Sequence, residues 1–268
     1  MVGIIIIIIV FTAMLIFFSI NAVESLYVLK RQRPLYVHFY IRLKDISVQE
    51  QQFLLKEFTF YANLSQRYKR FFRHRLAVFM EDKVFVSREG QEITSQVKLL
   101  ISATAIMLTF GMRNYTLDIL ERIIVYPSSF FSRTNKHQHL GEFNRAFKSL
   151  ALSWEGVQRG FENEHDNLNL AIHEFTHVLH FNSRKFKDVS STIFSDGYDQ
   201  LEKYLSNKKN LAKLKGSTHF RTYMYTNQFE FLAVLIEHFI ESPVYLKQNF
   251  PELYTLSKRM LNFRFAGY

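Results

Sequence analysis

The chain has 268 residues, enough to bury a sizeable core, and it has no cysteine, which excludes disulfides and thiolate metal sites. With 28 Phe and 14 Tyr but only 4 Pro and 9 Gly, the composition predicts long helices with short connections and excludes extensive disorder. The net charge of +10 would suit either nucleic acid or an anionic membrane surface.

The chain begins with a segment that is apolar on every face. Residues 1–23 carry no charge, and the run from Val2 to Ile20 is long enough to cross a bilayer. A cleaved signal peptide would normally show a basic start and a small-residue cleavage site, and neither precedes Glu24. A buried core helix, the other alternative, would be expected to have a polar side. We therefore predict a retained transmembrane anchor at residues 1–23.

The charges that follow the anchor predict its orientation. All of the nearest cations lie on its C-terminal side, so the positive-inside rule predicts a single-pass protein of the inner (plasma) membrane with the rest of the chain in the cytoplasm. Residues 24–49 are expected to form a juxtamembrane connector, in which Tyr36 to Leu43 alternates enough for a strand. The soluble domain is predicted at residues 50–268. The three cations are Lys30, Arg31 and Arg33.

The densest basic cluster lies within a helical pattern. Apolar residues recur at helical spacing from Tyr61 to Phe79, which places the basic residues mostly on the opposite side. This pattern favours an amphipathic helix with a solvated basic face over a nucleic-acid site, and we expect no nucleic-acid partner. The basic residues are Arg67, Lys69, Arg70, Arg73 and Arg75.

The middle of the chain predicts a helix and two strands. An apolar helix is expected from Ile93 to Gly111, and short strands at Ile123–Tyr126 and Leu150–Trp154. A strand beside a binding site can offer its edge to an extended peptide, and we expect this of the second strand. Between the strands, His137 and His139 lie among polar residues, a pattern more typical of a solvated loop than of a metal site.

His173, Glu174 and His177 form a His-Glu-x-x-His motif. On a helix, a spacing of four residues places both imidazoles on one face, where they can reach one ion. Two imidazole ligands, an open position for water and a carboxylate base are what a zinc hydrolase needs. An ordinary solvated helix is the alternative, but the surrounding apolar residues indicate a buried helix whose His and Glu need partners. Asp166 or Asn167 is expected to cap it.

A later apolar segment, from Tyr223 to Tyr245, carries two carboxylates that share a helical face. They are Glu230 and Glu237, which lie seven residues apart. A zinc ion held by two histidines usually takes a third protein ligand, and a carboxylate on a later helix commonly provides it. This spacing makes either glutamate a candidate for the third ligand.

Together these segments resemble the Mlc titration factor A family of zinc-dependent peptidases, whose metal site is of the gluzincin type. The resemblance runs from about residue 50 to about residue 262 and leaves out the anchor. It implies an α+β, predominantly helical, zincin-like metallopeptidase domain with a small sheet. Each segment alone would be weak, but five in order are specific. They are Ile124–Pro127, Leu152–Trp154, Asn169–His177, Phe229–Val234 with Glu237 and Phe239, and Phe250–Tyr254.

The resemblance also implies roles for individual residues. It implies that His173, His177 and Glu230 bind Zn²⁺ and that Glu174 is the general base. Tyr223 matches a family tyrosine placed to polarise the scissile carbonyl or to stabilise the oxyanion, which a phenol does by donating a hydrogen bond.

Three further positions qualify this assignment. Tyr225 is close enough in sequence to be the family tyrosine in place of Tyr223. The alternative interpretation of Tyr223 is a buried core tyrosine. We expect Glu237 to orient a ligand histidine. His180 stands where the family usually has Asp, and it is interpreted as a donor to the site, a surface histidine or a sign of an altered site.

The resulting hypothesis is a membrane-anchored zinc metallopeptidase that acts on peptide or protein substrates, including aminopeptidase-like action on small peptides. The alternative is a regulatory interaction protein that binds a transcriptional regulator, with zinc mainly structural.

Overall fold

Helices make up most of the protein, and a small sheet lies among them. The computed structural model describes residues 2–132, 136–163, 165–217 and 219–268. The helices are α1 Val2–Arg31, α2 Val48–Glu57, α3 Thr59–Ala62, α4 Gln66–Asp82, α5 Ser95–Thr109, α6 Trp154–Glu162, α7 Leu170–Lys185, α8 Val189–Ser206, α9 Lys208–Lys215, α10 Gln228–Glu241, α11 Pro243–Asn249 and α12 Pro251–Met260. The strands are β1 Val84–Ser87, β2 Arg122–Tyr126, β3 Phe130–Phe131, β4 Gln138–His139, β5 Gly141–Asn144 and β6 Ser149–Ser153, and a 3₁₀ helix spans Thr222–Tyr225.

The main sheet has four strands in the order β1-β2-β6-β5. The first three are parallel, whereas β5 runs antiparallel to β6. The predicted strand Ile123–Tyr126 is confirmed as β2. The prediction of a substrate-facing edge at Leu150–Trp154 is wrong, because β6 is paired on both sides and β5 forms the sheet edge. Trp154 instead begins α6, since the hydroxyl of Ser153 caps that helix.

Three helices, α5, α7 and α10, carry much of the core. Helix α5 is buried along almost its whole length, and it packs on α7, which packs in turn on α10. The apolar helix predicted from Ile93 to Gly111 is confirmed with narrower bounds. Thr94 caps its first turn through a hydrogen bond from the Val97 amide, and the helix ends at Thr109. These buried helices give the candidate site a rigid support.

The basic helix differs from its prediction in two respects. It begins at Gln66 rather than near Tyr61, because Ser65 caps the first turn and Tyr61 lies in α3. In addition, Arg75 is fully buried rather than solvated. Its guanidinium donates to the carbonyl oxygens of Thr109 and Phe110 at the end of α5, where helix carbonyls lack partners within the helix.

The N-terminal helix α1 has the length and composition of a membrane span. It continues past residue 23 to Arg31. Residues 32–47 are all described and contain no strand, so the strand predicted at Tyr36–Leu43 is wrong. Its polar groups bond to the domain instead of to another strand, since Arg75 donates to the hydroxyl of Tyr40 and to the carbonyl oxygen of Val37. This segment is therefore packed against the domain.

Candidate active site

Helix α7 presents the His-Glu-x-x-His motif in its first half. Asn169 caps the helix by accepting a hydrogen bond from the Ile172 amide at 3.1 Å. The expected cap at Asp166 or Asn167 is therefore wrong. The carboxylate of Asp166 accepts a hydrogen bond from the Leu168 amide in the turn before the helix. Asp166 therefore stabilises that turn and does not cap α7.

Three side chains converge at this point from two helices. His173 Nε2 lies 2.9 Å from Glu230 Oε2 and 3.2 Å from His177 Nε2. His177 Nε2 lies 3.6 Å from Glu230 Oε1. One donor atom from each residue can be chosen so that all lie within 4.8 Å of one another. Ligand atoms around a tetrahedral zinc ion with bonds of about 2.0 to 2.1 Å are about 3.3 Å apart. Both the spacing and the donor types of this cluster therefore fit such an ion.

Glu237 holds one of the two histidines from behind. Its Oε1 lies 2.7 Å from His173 Nδ1, while Oε2 accepts from the Asn169 amide at 3.0 Å. Arg221 donates through Nη2 to both carboxylate oxygens at 2.6 Å. A carboxylate in this position keeps the proton on Nδ1 and leaves the Nε2 lone pair for a metal. This agrees with the orienting role expected of Glu237.

The same contacts set the charges of the cluster. Burial alone would lower the pKa of His173, but hydrogen bonds to Glu230 and Glu237 raise it to about 10. Burial alone would raise the pKa of Glu230, but hydrogen bonds from His173 and His177 hold it well below its usual range. The two glutamates thus stabilise positive charge at His173, and a metal cation bound at Nε2 would replace the proton on that nitrogen.

Glu174 lies on the neighbouring side of α7 and is buried. Burial raises the pKa of its carboxyl, against the opposing effect of His173 and His177. Gly141 at the start of β5 contacts it so closely that an added Cβ would lie 2.5 Å from Glu174 Cγ. Only a glycine lets the edge strand approach Glu174 in this way.

The structure separates the two candidate tyrosines. Tyr223 is half exposed, lines the same cavity as His173 and Glu174, and has its ring centre 6.2 Å from that of His173. Burial and the Glu230 and Glu174 carboxylates raise the pKa of Tyr223, so its hydroxyl keeps the proton it would donate. Tyr225 lies elsewhere, with its ring 6.3 Å from Phe231 and beside Lys215.

The motif opens into a cavity of about 470 Å³ beside β4 and β5. His139 lines this cavity and is half-buried, with its Nε2 atom lacking a hydrogen-bond partner among the described residues. The prediction of a solvated loop holds for His137, which is exposed, but is wrong for His139. Pairing of β4 with β3 brings His139 opposite Phe130 and folds this segment beside the cavity.

His180 lies one turn beyond the motif and is buried rather than on the surface. Its ring centre lies 4.3 Å from that of Tyr198, 5.1 Å from that of Phe229 and 5.3 Å from that of Phe181. Burial and the charge of Arg184 lower the pKa of His180 to about 4, so the imidazole is neutral near pH 7. Its environment is an aromatic cluster, distinct from the carboxylates around His173.

Three residues near the motif were missed in the sequence or given another role. Asn169 directly precedes the first helical residue, which is a usable cap signal. Arg221 is a cation close to Tyr223, but its partner is distant in sequence. Nothing in the local sequence indicates a role for Gly141, because that role comes from its contact with Glu174 in the folded protein.

A buried His-Glu-x-x-His helix joined by a glutamate from a second helix is the site of a metallopeptidase-like protein. Residues 29–261 match the family model described as Glucose-regulated metallo-peptidase M90, and the chain belongs to this family. This confirms the predicted family and the mainly helical, zincin-like fold. The match begins inside the segment predicted as a connector.

Two relatives illustrate the range of similarity. An uncharacterized protein of Synechocystis sp. is 28% identical over 250 residues, which cover 85% of this chain and 84% of that protein. Mlc titration factor A of Serratia proteamaculans is 24% identical over 191 residues, covering 65% of this chain and 72% of that protein.

Proposed function

We propose that this protein is a zinc-dependent peptidase, anchored by α1, that hydrolyses peptide bonds. The observation that carries the proposal is the convergence of His173, His177 and Glu230 beside a buried Glu174. Membership of a metallopeptidase family supports the same class of reaction. Under this proposal the two histidines and Glu230 hold the ion. A bound zinc ion would supply the Lewis acid that activates water and polarises the substrate carbonyl.

Glu174 is proposed as the general base. Its raised pKa, caused by burial, brings the carboxyl closer to the range in which it can both accept and release a proton near neutral pH. It would accept the proton of the attacking water and pass it to the leaving amine. The close approach of Gly141 fixes the side chain on one side, which limits the orientations that it can adopt.

Tyr223 is proposed to donate a hydrogen bond to the carbonyl oxygen as negative charge develops there. Its hydroxyl stays protonated because burial and the nearby carboxylates raise its pKa. Half of the side chain is exposed, so a substrate can reach it without displacing core residues.

We infer that substrates bind as short extended peptides along β5. This strand is at the edge of the sheet, and Gly141 at its start lies against Glu174. An extended peptide could add to this edge by main-chain hydrogen bonds. Aminopeptidase-like action is part of the hypothesis. A pair of peptides that differ only in acetylation of the N-terminus tests it, because an aminopeptidase cleaves only the free form.

The test of the mechanism uses the full chain in mild detergent. We expect about one zinc per chain, both in the native protein and in Glu174→Gln, because Glu174 is not a ligand. Peptide turnover should fall by about 10²- to 10⁴-fold in that variant, the usual contribution of a general base. Glu252→Gln, at an exposed position on α12 outside the cavity beside the motif, is the matched control and should keep full activity. Turnover retained in Glu174→Gln would exclude this mechanism.

We also propose that α1 is a retained anchor, with residues 1–23 in the membrane, 24–49 as the juxtamembrane segment and 50–268 as the catalytic domain on the cytoplasmic side. Its apolar length supports the anchor, and the cations after it support the orientation. Protease added to intact spheroplasts should leave the domain uncut. Cleavage of the domain, or release of the protein by alkaline carbonate, would contradict the topology or the anchor respectively.

A second candidate function follows from one relative. The name of Mlc titration factor A says that this relative titrates a partner, Mlc, and its match covers 65% of this chain. By this analogy the chain could bind a transcriptional regulator at the membrane, with zinc mainly structural. A stoichiometric partner that Glu174→Gln captures as well as the native protein, together with no peptide turnover by the native protein, would favour this candidate.

A further inference from the structure

A second cavity, of about 420 Å³, lies where α1 meets the domain. Tyr27 of α1 contributes to its wall, as do Arg33 and His38 from the segment after α1. Arg67 of α4 and Arg264 near the C-terminus also line it. We call this cavity the juxtamembrane pocket. It is separate from the candidate active site, since none of its lining residues also lines the cavity beside the motif.

The pocket is strongly positive. Arg33, Arg67 and Arg264 all line it, and no Asp or Glu is among the lining residues. Within the described ranges, none of these three guanidinium groups forms a salt bridge. The buried Glu24 near the end of α1 is already paired with Arg113. The cationic charge of the pocket thus has no counter-ion in this part of the chain.

Aromatic contacts position two of the guanidinium groups. Arg33 donates from Nε to the Tyr27 hydroxyl at 2.7 Å, which links the residue to α1. The guanidinium of Arg67 lies 5.6 Å from the ring centre of Phe71. A planar guanidinium group can bind a phosphate through two parallel hydrogen bonds. A guanidinium that is already held in place loses less side-chain entropy on binding than a mobile one does.

His38 adds a buried ring nitrogen, Nε2, that has no partner among the described residues. Arg75 donates to the Tyr40 hydroxyl, so the proton of that hydroxyl is available to His38 Nδ1, 3.2 Å away. In the tautomer that accepts this proton, the imidazole carries its own proton on Nε2, an atom that is buried and has no partner among the described residues. Burial and the charges of Arg75 and Arg67 lower the pKa of His38 to about 2, which keeps the ring neutral. An anion seated against His38 would supply the missing acceptor.

The anchor sets the depth of the pocket relative to a bilayer. A helix rises about 1.5 Å per residue, so a hydrocarbon core of about 30 Å takes up roughly the 20 residues at the start of α1. Tyr27 follows the uncharged stretch by four residues, or about 6 Å, which is the depth of the lipid headgroups. Tyrosine is also enriched at this depth.

Two exposed apolar residues also lie close to the anchor in sequence. In the segment after α1, Phe39 is 76% exposed and Ile41 is 93% exposed. Large apolar side chains next to a transmembrane helix are explained if they dip into the lipid interface. This supports a position at the lipid headgroups for the segment after α1, which also contributes Arg33 and His38 to the pocket.

We propose that the juxtamembrane pocket binds the phosphate of an anionic phospholipid headgroup. The inference rests on the anchoring role proposed for α1 and is independent of the peptidase reaction. Arg33, Arg67 and Arg264 would contact the phosphate, and the bound lipid would fix the orientation of the catalytic domain on the membrane. The positive charge without a counter-ion, the unpartnered Nε2 of His38 and the depth that the proposed anchor gives the pocket agree on this ligand.

The test is native mass spectrometry of the full chain released from a non-ionic detergent, after incubation with equal amounts of phosphatidylglycerol and phosphatidylcholine of the same acyl chains. The native protein should retain phosphatidylglycerol preferentially. The double variant Arg67→Gln/Arg264→Gln should bind it at least about tenfold more weakly, because each cation near an anionic surface contributes appreciably to binding. Both arginines are exposed, so the fold should survive, and thermal unfolding checks this.

The matched control removes the same charge elsewhere. Arg70→Gln/Lys209→Gln changes one exposed residue on α4 outside the pocket and one on α9, and it should bind phosphatidylglycerol within about twofold of the native protein. Equal weakening in both double variants would show general charge attraction and overturn the proposal. Equal retention of the two lipids by the native protein would also overturn it.

Two further arms separate the possible failures. Displacement of phosphatidylglycerol by excess inorganic phosphate alone would identify a free-anion site and overturn the lipid assignment. Resistance to such displacement supports the lipid. Alkaline carbonate extraction tests the anchor by itself, so a protein that stays in the membrane without lipid preference contradicts the pocket and leaves the anchor intact.

Discussion

The two halves of helix α7 carry histidines on the same face but give them opposite environments. In the first half, His173 lies between Glu230 and Glu237, and their hydrogen bonds raise its pKa to about 10 against the effect of burial. In the second half, His180 lies among aromatic rings, and burial lowers its pKa to about 4. Helical spacing places a histidine on a face, but the neighbouring helices decide what it can do.

The difference between the halves arises mainly from α10. Its first turn directs Glu230 at the motif, while the adjacent Phe229 packs on His180. Two consecutive residues of α10 therefore serve the polar half and the aromatic half of α7. Mutations in the polar half should therefore weaken metal binding most, whereas mutations in the aromatic half should lower stability.

The largest effect is expected from Glu230→Gln, which removes the only carboxylate of the proposed ligand set. An amide oxygen is a much poorer zinc ligand than a carboxylate, so affinity should fall by at least about 100-fold. Zinc content after dialysis against a weak chelator measures this. Glu252→Gln, an exposed position on α12, is the control and should keep its zinc. A Glu230→Gln protein that holds one zinc per chain as firmly as the control would remove Glu230 from the site.

A smaller effect is expected from Glu237→Gln, since Glu237 contacts a ligand and not the ion. The variant loses the carboxylate that fixes His173 Nδ1 and leaves Arg221 without its ion-pair partner. Zinc affinity should drop by about 10- to 100-fold, the usual cost of losing such a carboxylate. Chelator competition measures this drop. Unchanged affinity would mean that the position of His173 is set by packing alone.

Residue patterns predicted the polar half of α7 well and the surroundings poorly. The motif and the pair of glutamates on a later helix follow from helical periodicity, which is local in sequence. Gly141 and Arg221 act through contacts with Glu174 and Glu237 that no local pattern encodes. The alternation at residues 36–43 misled the strand prediction because those residues bond to the buried Arg75 rather than to a strand. Tertiary contacts therefore account for most of the differences.

The aromatic half should respond in stability and not in metal binding. His180→Ala leaves a cavity among Phe181, Tyr198 and Phe229 and should cost about 2 kcal/mol of unfolding free energy. His180→Phe replaces the imidazole with an apolar ring that is one atom larger and removes an Nδ1 atom that has no partner in the described residues, so it should cost less than His180→Ala. Thermal unfolding and zinc affinity, measured on both variants, test this. Loss of zinc from His180→Phe would place His180 in the metal site.

The smallest effect is expected at Glu241, a residue of α10 that contacts Asn169, the cap of α7. Its Oε1 accepts from the Asn169 side chain at 3.1 Å, while Oε2 is buried without a partner among the described residues. Burial raises the pKa of Glu241 from 4.5 to about 7, against the opposing effect of the Asn169 hydrogen bond. An acid whose pKa is raised by folding stabilises the protein fully below its unfolded pKa, and this contribution is lost as pH rises through the folded value.

The native protein should therefore lose on the order of 1 to 2 kcal/mol of unfolding free energy relative to Glu241→Gln between about pH 5 and pH 8. The comparison is made by thermal unfolding of both proteins across that range, with Glu252→Gln as a control that should follow the native curve. A Glu241→Gln curve parallel to the native one would mean that the buried carboxyl has found a partner when ionised. In that case Glu241 would not contribute to the pH dependence of stability, and its contact with Asn169 would serve only to hold the cap of α7 in place.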